Sequence, residues 1–215
     1  MTIYFISGLG ADKRVFKKLS LPSNFIIKHV EWIPNFKNES LSGYTKRLIT
    51  QIDTSQPFSL VGLSFGGIIA TEISKITNPK QIIIISSVSK ESQIPWYFKA
   101  SGFLNLYYLL PSKILKSPNR FLFWLFGTKD NEQKELLKQI IHDTDISFLK
   151  WAIAKISNWN NKEKMGKLYH IHGTADRIFP IGFVKSDIEI IGGGHFMIYD
   201  QHEEISKILT EKLKN

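Results

Sequence analysis

Ser59-Leu60-Val61-Gly62-Leu63-Ser64-Phe65-Gly66-Gly67 is the stretch whose reading decides this chain. A run of strand-forming residues ends in Gly62-x-Ser64-x-Gly66. A helical pattern then opens at once in Gly67-Ile68-Ile69-Ala70-Thr71-Glu72-Ile73. Strand, tight turn, helix is the context in which a G-x-S-x-G elbow lifts a serine hydroxyl above a sheet. Glycines flank the serine because a side chain at either position would collide with the adjacent strand or helix. An ordinary βα turn in which Ser64 merely caps the helix competes with this reading. The placement after a strand and before a helix favours the nucleophile.

The same alternation extends outward in both directions. Strands are expected at Ile3–Ser7, Phe25–Glu31, Phe58–Gly62, Gln81–Ser86, Lys167–His172 and Asp187–Ile191. Several are near-continuous apolar runs of the kind buried on both faces of a parallel sheet, and the four isoleucines after Gln81 mark a central strand. Helical patterns fall at Lys13–Leu19, at Tyr44–Ile52, after the elbow as far as Asn78-Pro79, and from about Gln201 to Leu213. This predicts an α/β fold with a doubly wound, mainly parallel sheet of about six strands. Such sheets place their sites at the carboxyl ends of the strands. Glycine turns follow the first, third, fifth and sixth strands, so topology brings Leu9, Ser64, Asp176 and His195 to one edge.

The segment from Val88 to about Met165 differs in character. It holds nearly half of the chain's aromatic residues in little more than a third of its length. Its spacing is helical, broken at Pro111 and Pro118, and it carries a net positive charge. We expect a helical insertion (88–165) after the fourth strand, with 1–87 and 166–215 forming the core.

Composition narrows the function classes. A chain of 215 residues forms one domain with a sizeable core. The absence of cysteine removes disulfides, thiol nucleophiles and thiolate-ligated metals. The net charge of +9 comes from scattered lysines with no nucleic-acid motif, so a solvated surface is expected and no nucleic-acid partner. The N-terminus passes directly into a strand, without the regions of a signal peptide, which implies a cytoplasmic protein. The longest apolar runs, Phe103–Leu110 and Phe121–Phe126, fall short of the roughly 18 residues of a spanning helix. They would still allow the insertion a weak contact with a membrane surface.

Three turns together carry a resemblance. Gly62-Leu-Ser-Phe-Gly-Gly67, His172-Gly-Thr-Ala-Asp176 and Gly192-Gly-Gly-His-Phe196 follow one another in the order serine, acid, histidine. In this the chain resembles the α/β-hydrolase family over nearly its whole length except Val88–Met165, where that family commonly inserts a helical cap. The resemblance implies Ser64 as nucleophile, His195 as general base and Asp176 as the acid that orients the imidazole. It also implies an oxyanion hole made by the backbone N–H groups of Phe65 and Leu9, with Gly10 as the alternative donor. Where the family often has H-G-x-G, this chain has Ser7-Gly8-Leu9-Gly10. The glycines that shape the turn are present and the histidine is not.

Other readings of the same residues remain. Asp187, Asp200 and Asp145 rival Asp176 but lack its H-G-x-x-D context. His170 and His172, at i and i+2, would with His195 and Asp176 make a metal set, yet alternate positions on a buried strand explain them better. Gly8-x-Gly10 lacks the third glycine and the acidic ribose ligand of a dinucleotide site, so no cofactor is expected. The expected activity is hydrolysis of an ester or thioester of a small molecule with an apolar acyl or aryl group, through an acyl-enzyme. C–C hydrolase, lyase or perhydrolase chemistry on the same residues, or a non-catalytic ligand-binding protein on the same scaffold, are the alternatives.

Overall fold

The computed structural model describes residues 1–104 and 116–214. In chain order the elements are β1 (Thr2–Ile6), β2 (Ile26–Val30), α1 (Leu41–Leu48), β3 (Phe58–Leu63), α2 (Phe65–Ser74) and β4 (Ile82–Ile85). Then follow α3 (Trp96–Phe103), α4 (Arg120–Phe126), α5 (Asn131–Asp143) and α6 (Ile146–Ser157). The chain closes with β5 (Leu168–Gly173), β6 (Ile188–Ile190), α7 (Met197–Asp200) and α8 (His202–Lys214). All six strands form one parallel sheet in the order β2-β1-β3-β4-β5-β6.

Period-two alternation splits the strand residues between two apolar layers. Tyr4, Ile6, Leu60, Ile82 and Ile84 point to one face, where they meet Leu48, Phe65, Ile68 and Ile69. Ile3, Phe5, Val61, Ile83 and Ile85 point to the other, against Phe16, Met197, Ile205 and Leu209. Each such side chain contributes about 1.5–3 kcal/mol when fully buried. The paired layers therefore hold the central strands rigid, and β4 is buried throughout.

Among the described residues, the segment after β4 carries α3–α6 and reaches both apolar layers of the sheet. Leu136 and Ile140 of α5 join one layer, while Phe148, Trp151 and Ala152 of α6 join the other. Its aromatic residues divide accordingly. Phe148 and Trp151 pack around Phe65 and Tyr44, with Trp151 and Tyr44 ring centroids 4.5 Å apart. Trp96, Phe121 and Trp124 are exposed. The expectations for Leu106, Tyr107, Tyr108, Leu110 and Pro111 lie outside the described residues. No described helix is long and apolar enough to cross a membrane.

Some element boundaries differ from expectation for local reasons. The helix expected at Lys13–Leu19 is one 3₁₀ turn, Lys13–Phe16, opened by Asp12 accepting from the Arg14 amide. The helix expected to begin at Tyr44 begins at Leu41, because Ser40 Oγ accepts from the Gly43 amide and caps it. The helix after the elbow stops at Ser74, before Pro79. There the Lys75 and Ile76 amides bond three residues back, and Thr77 Oγ1–H donates to the Ile73 carbonyl. β2 is an edge strand whose Ile26 and Ile27 are 57% and 43% exposed, so its apolar run does not mark burial on both faces.

Candidate active site

Ser64 sits between β3 and α2 with φ 53° and ψ −119°, a conformation that strains any residue with a Cβ. The surroundings hold it there. Its N–H donates to the Ile85 carbonyl at 2.9 Å, and its own carbonyl accepts from the Gly67 N–H at 2.9 Å and from Ser87 Oγ at 2.7 Å. Both flanking glycines are sterically required. A methyl group on Gly62 would meet the Gly66 backbone, and one on Gly66 would meet the carbonyls of Ile6 and Ser7.

The remaining two side chains arrive from the ends of β5 and β6. The turn after β5 and the glycine loop after β6 are stapled by Thr174 N–H to Ile190 O and Ala175 N–H to Gly193 O. A methyl group on Gly173 would meet the Gly193 carbonyl, so Gly173 has no room for a side chain. His195 Nε2 lies 2.9 Å from Ser64 Oγ, and His195 Nδ1 lies 2.8 Å from Asp176 Oδ2. With Nδ1–H donated to the carboxylate, Nε2 is left to accept the serine proton. Asp176 Oδ1 accepts the amides of Ile178 and Phe179 at 2.8 and 2.9 Å. Burial alone would raise the Asp176 pKa. The charge and hydrogen bond of His195, with His172 and the Phe179 amide, outweigh it and hold the carboxyl below its ordinary value. The rings of Phe126 and Phe179 flank the imidazole at 5.5 and 5.9 Å.

The turn after β1 abuts the serine. A methyl group on Gly8 would sit 3.5 Å from Ser64 Cβ. Three hydrogen bonds brace this turn: Ser7 Oγ to Ala11 O at 2.6 Å, Ala11 N–H to Gly8 O at 3.0 Å, and Trp32 Nε1–H to Gly8 O at 3.1 Å. Ser7 is thus a working brace in this turn. Among the described residues no acceptor pairs with the N–H of Leu9 or of Phe65. Gly10, at φ 68°, lies against Thr144 at the end of α5, which locks the turn to the insertion.

The rival carboxylates are engaged elsewhere. Asp187 pairs with Lys164 and the His170 amide, Asp200 with Lys129, and Asp145 caps α6. His170 Nε2 faces His172 Nδ1 at 3.2 Å, and His172 Nε2 donates to the Phe179 carbonyl at 2.7 Å. Burial pushes the His170 pKa down to about 3 and lowers that of His172. Among the described residues no cluster of three metal-ligating side chains occurs.

Above Ser64 lies a cavity of about 270 Å³. The core contributes Leu9, Val15 and Phe179; α4, α5 and α6 contribute leucines, isoleucines and Phe126. Among the described residues no Asp, Glu, Lys or Arg lines it. Three supporting residues, Trp32, Ser87 and Thr144, were not marked as such by the sequence. Each acts through contacts with elements remote in the chain, so no local pattern marks it.

No family model matches the chain, and no curated protein matches it in sequence. Solved structures do match it in shape. A bromoperoxidase from Bacillus anthracis superposes with a TM-score of 0.71 at 15% identity, covering 100% of this chain and 92% of that one. A lipase-esterase related protein from Clostridium acetobutylicum ATCC 824 gives 0.66 at 16% identity, covering 98% and 93%. A thermophilic esterase from Thermogutta terrifontis gives 0.67 at 13% identity, covering 100% and 89%. With its parallel six-stranded sheet and nearly full-length superposition, the chain has the α/β-hydrolase fold.

Proposed function

We propose that this protein is a serine hydrolase that cleaves carboxylic esters or thioesters with an apolar acyl group. The observation that carries the reading is the unbroken run of contacts from Ser64 Oγ through His195 to Asp176, at 2.9 and 2.8 Å. In the proposed reaction Ser64 Oγ attacks the acyl carbon while its proton passes to His195 Nε2. The negative charge that develops on the carbonyl oxygen is taken by the Phe65 and Leu9 amides. His195 then gives its proton to the departing alkoxide or thiolate. Water attacks the acyl-enzyme, surrenders a proton to Nε2, and releases the acid as Ser64 Oγ is reprotonated. Asp176 keeps Nδ1 protonated throughout and stabilises the imidazolium. Segment 88–165 serves as the cap that roofs the cavity and keeps the acyl group dry.

A cavity above about 150 Å³ holds a benzene-sized group, so this one suits an aliphatic or aryl acyl chain. The resemblance in shape to a bromoperoxidase keeps one second reading open, in which peroxide replaces water and a peracid leaves. Labelling with a fluorophosphonate tests the nucleophile. We expect a covalent adduct on the protein and none on Ser64→Ala. Absence of an adduct on the unaltered protein would leave only a ligand-binding role for the scaffold.

A further inference from the structure

Helix α4 is a wall with two unlike faces. Leu122, Leu125 and Phe126 line the apolar cavity, while Arg120, Phe123 and Trp124 line a separate cleft of about 590 Å³ on its outer side. The far bank of that cleft is the turn that follows Asp176, carrying Arg177, and the glycine loop that carries His195.

The arginines here are unlike the other two in the chain. The chain has four arginines. Arg14 pairs with Asp12 and Asp143, and Arg47 pairs with Glu39. Arg120 and Arg177, which both line the cleft, have no carboxylate partner among the described residues. Arg177 lies over the Trp124 ring at 4.6 Å and donates to the Trp124 carbonyl at 2.6 Å, which fixes its guanidinium at the rim. Lys134 adds a third cation, and Lys129 a fourth whose charge is met by Asp200. Among the described residues no Asp or Glu lines the cleft. Gly127, Gly192 and Gly194 leave its floor without side chains, so a ligand can reach the backbone. At its mouth the exposed rings of Phe121 and Trp124 stack with centroids 5.7 Å apart, a flat apolar shelf beside the cations.

We propose that this cleft binds a phosphate-bearing group. Guanidinium forks match phosphate oxygens two at a time, and lysine adds a point charge. Resting on the hydrolase reading, the substrate is an acyl compound whose phosphate lies outside α4 while its acyl chain lies inside. The shared chemistry is a phosphate mono- or diester, carried either on the thiol of a nucleotide-type thioester or on a lipid headgroup.

Binding is read first on Ser64→Ala by calorimetric titration with inorganic pyrophosphate, which needs no turnover. Each cation removed (Arg120→Gln, Lys134→Gln or Arg177→Gln) is expected to weaken binding about tenfold, and rising salt to weaken it further. Pyrophosphate affinity equal in all variants, or none in the parent, overturns the site. Because Arg177→Gln also loosens Trp124, the Arg120→Gln/Lys134→Gln pair with an unchanged melting curve is the deciding variant. In the second arm, kcat/KM is compared for octanoyl-coenzyme A, dioctanoyl phosphatidylglycerol and p-nitrophenyl octanoate. The double variant should lower the ratio of one phosphate-bearing substrate to the neutral ester about tenfold or more. Which substrate responds identifies the source; a fixed ratio for both refutes a substrate role. Failure of all turnover with pyrophosphate binding intact would refute the hydrolase reading and leave the site standing.

Discussion

Asp176 shows how much one residue does at this site. One carboxylate oxygen takes two backbone amides and the other takes the imidazole, so the side chain shapes its own turn and orients the base. Asn at 176 keeps an acceptor for the amides but can present an N–H toward Nδ1. That favours the tautomer in which Nε2 carries the proton and cannot accept one from Ser64. We therefore expect Asp176→Asn to lower kcat on a neutral ester by roughly 10³–10⁴-fold with little change in KM, as in other triads. A loss below tenfold with the fold intact by circular dichroism would mean that another carboxylate supports His195.

Strand β5 delivers this turn, and it carries a buried pair that the proposed chemistry does not use. His170 and His172 are both fully buried and both hold pKa values below the ordinary 6.5. The unfolded chain therefore binds more protons than the folded one as pH falls from about 6.5 toward the folded values. Stability is full above that range and declines on acidification. Gln at 170 can still donate to His172 Nδ1 but does not titrate. Urea unfolding across pH 6 to 4 should show His170→Gln with a slope shallower by up to about 1.4 kcal/mol per pH unit, one proton's worth. An unchanged slope would mean that His170 is not the acid-sensitive group. The strands and the three loops they present were legible in the sequence because burial on both faces writes continuous apolar runs, as in β3 and β4. The packing of the helices was not. Phe148 and Trp151 read only as aromatics at helical spacing, and their partners Phe65, Tyr44 and Trp32 lie far back in the chain. The brace from Trp32 to Gly8 and the wedge of Thr144 on Gly10 leave no local signal for the same reason.

At the scale of the whole molecule, cavity and catalytic residues are built by different parts of the chain, and that separation is testable. The core places Ser64, Asp176 and His195 through strand ends, while most of the apolar lining comes from the inserted helices. The insertion is in turn fastened to the core: Glu132 takes Lys17, Lys18 and the Tyr199 hydroxyl, and the Trp151 indole donates to the Glu39 carbonyl. A fixed roof gives the cavity a fixed capacity. Along a series of p-nitrophenyl esters, kcat/KM should rise about fourfold per methylene, the equivalent of ~0.8 kcal/mol each, until the cavity is full. Ile153 of α6 lines the cavity. Ile153→Trp should shift the peak of that series to shorter chains and cut the octanoate value about tenfold or more, since two to three methylenes lose their space. A uniform drop across all chain lengths would place the acyl group elsewhere, and a flat series in the unaltered protein would separate this cavity from acyl binding altogether.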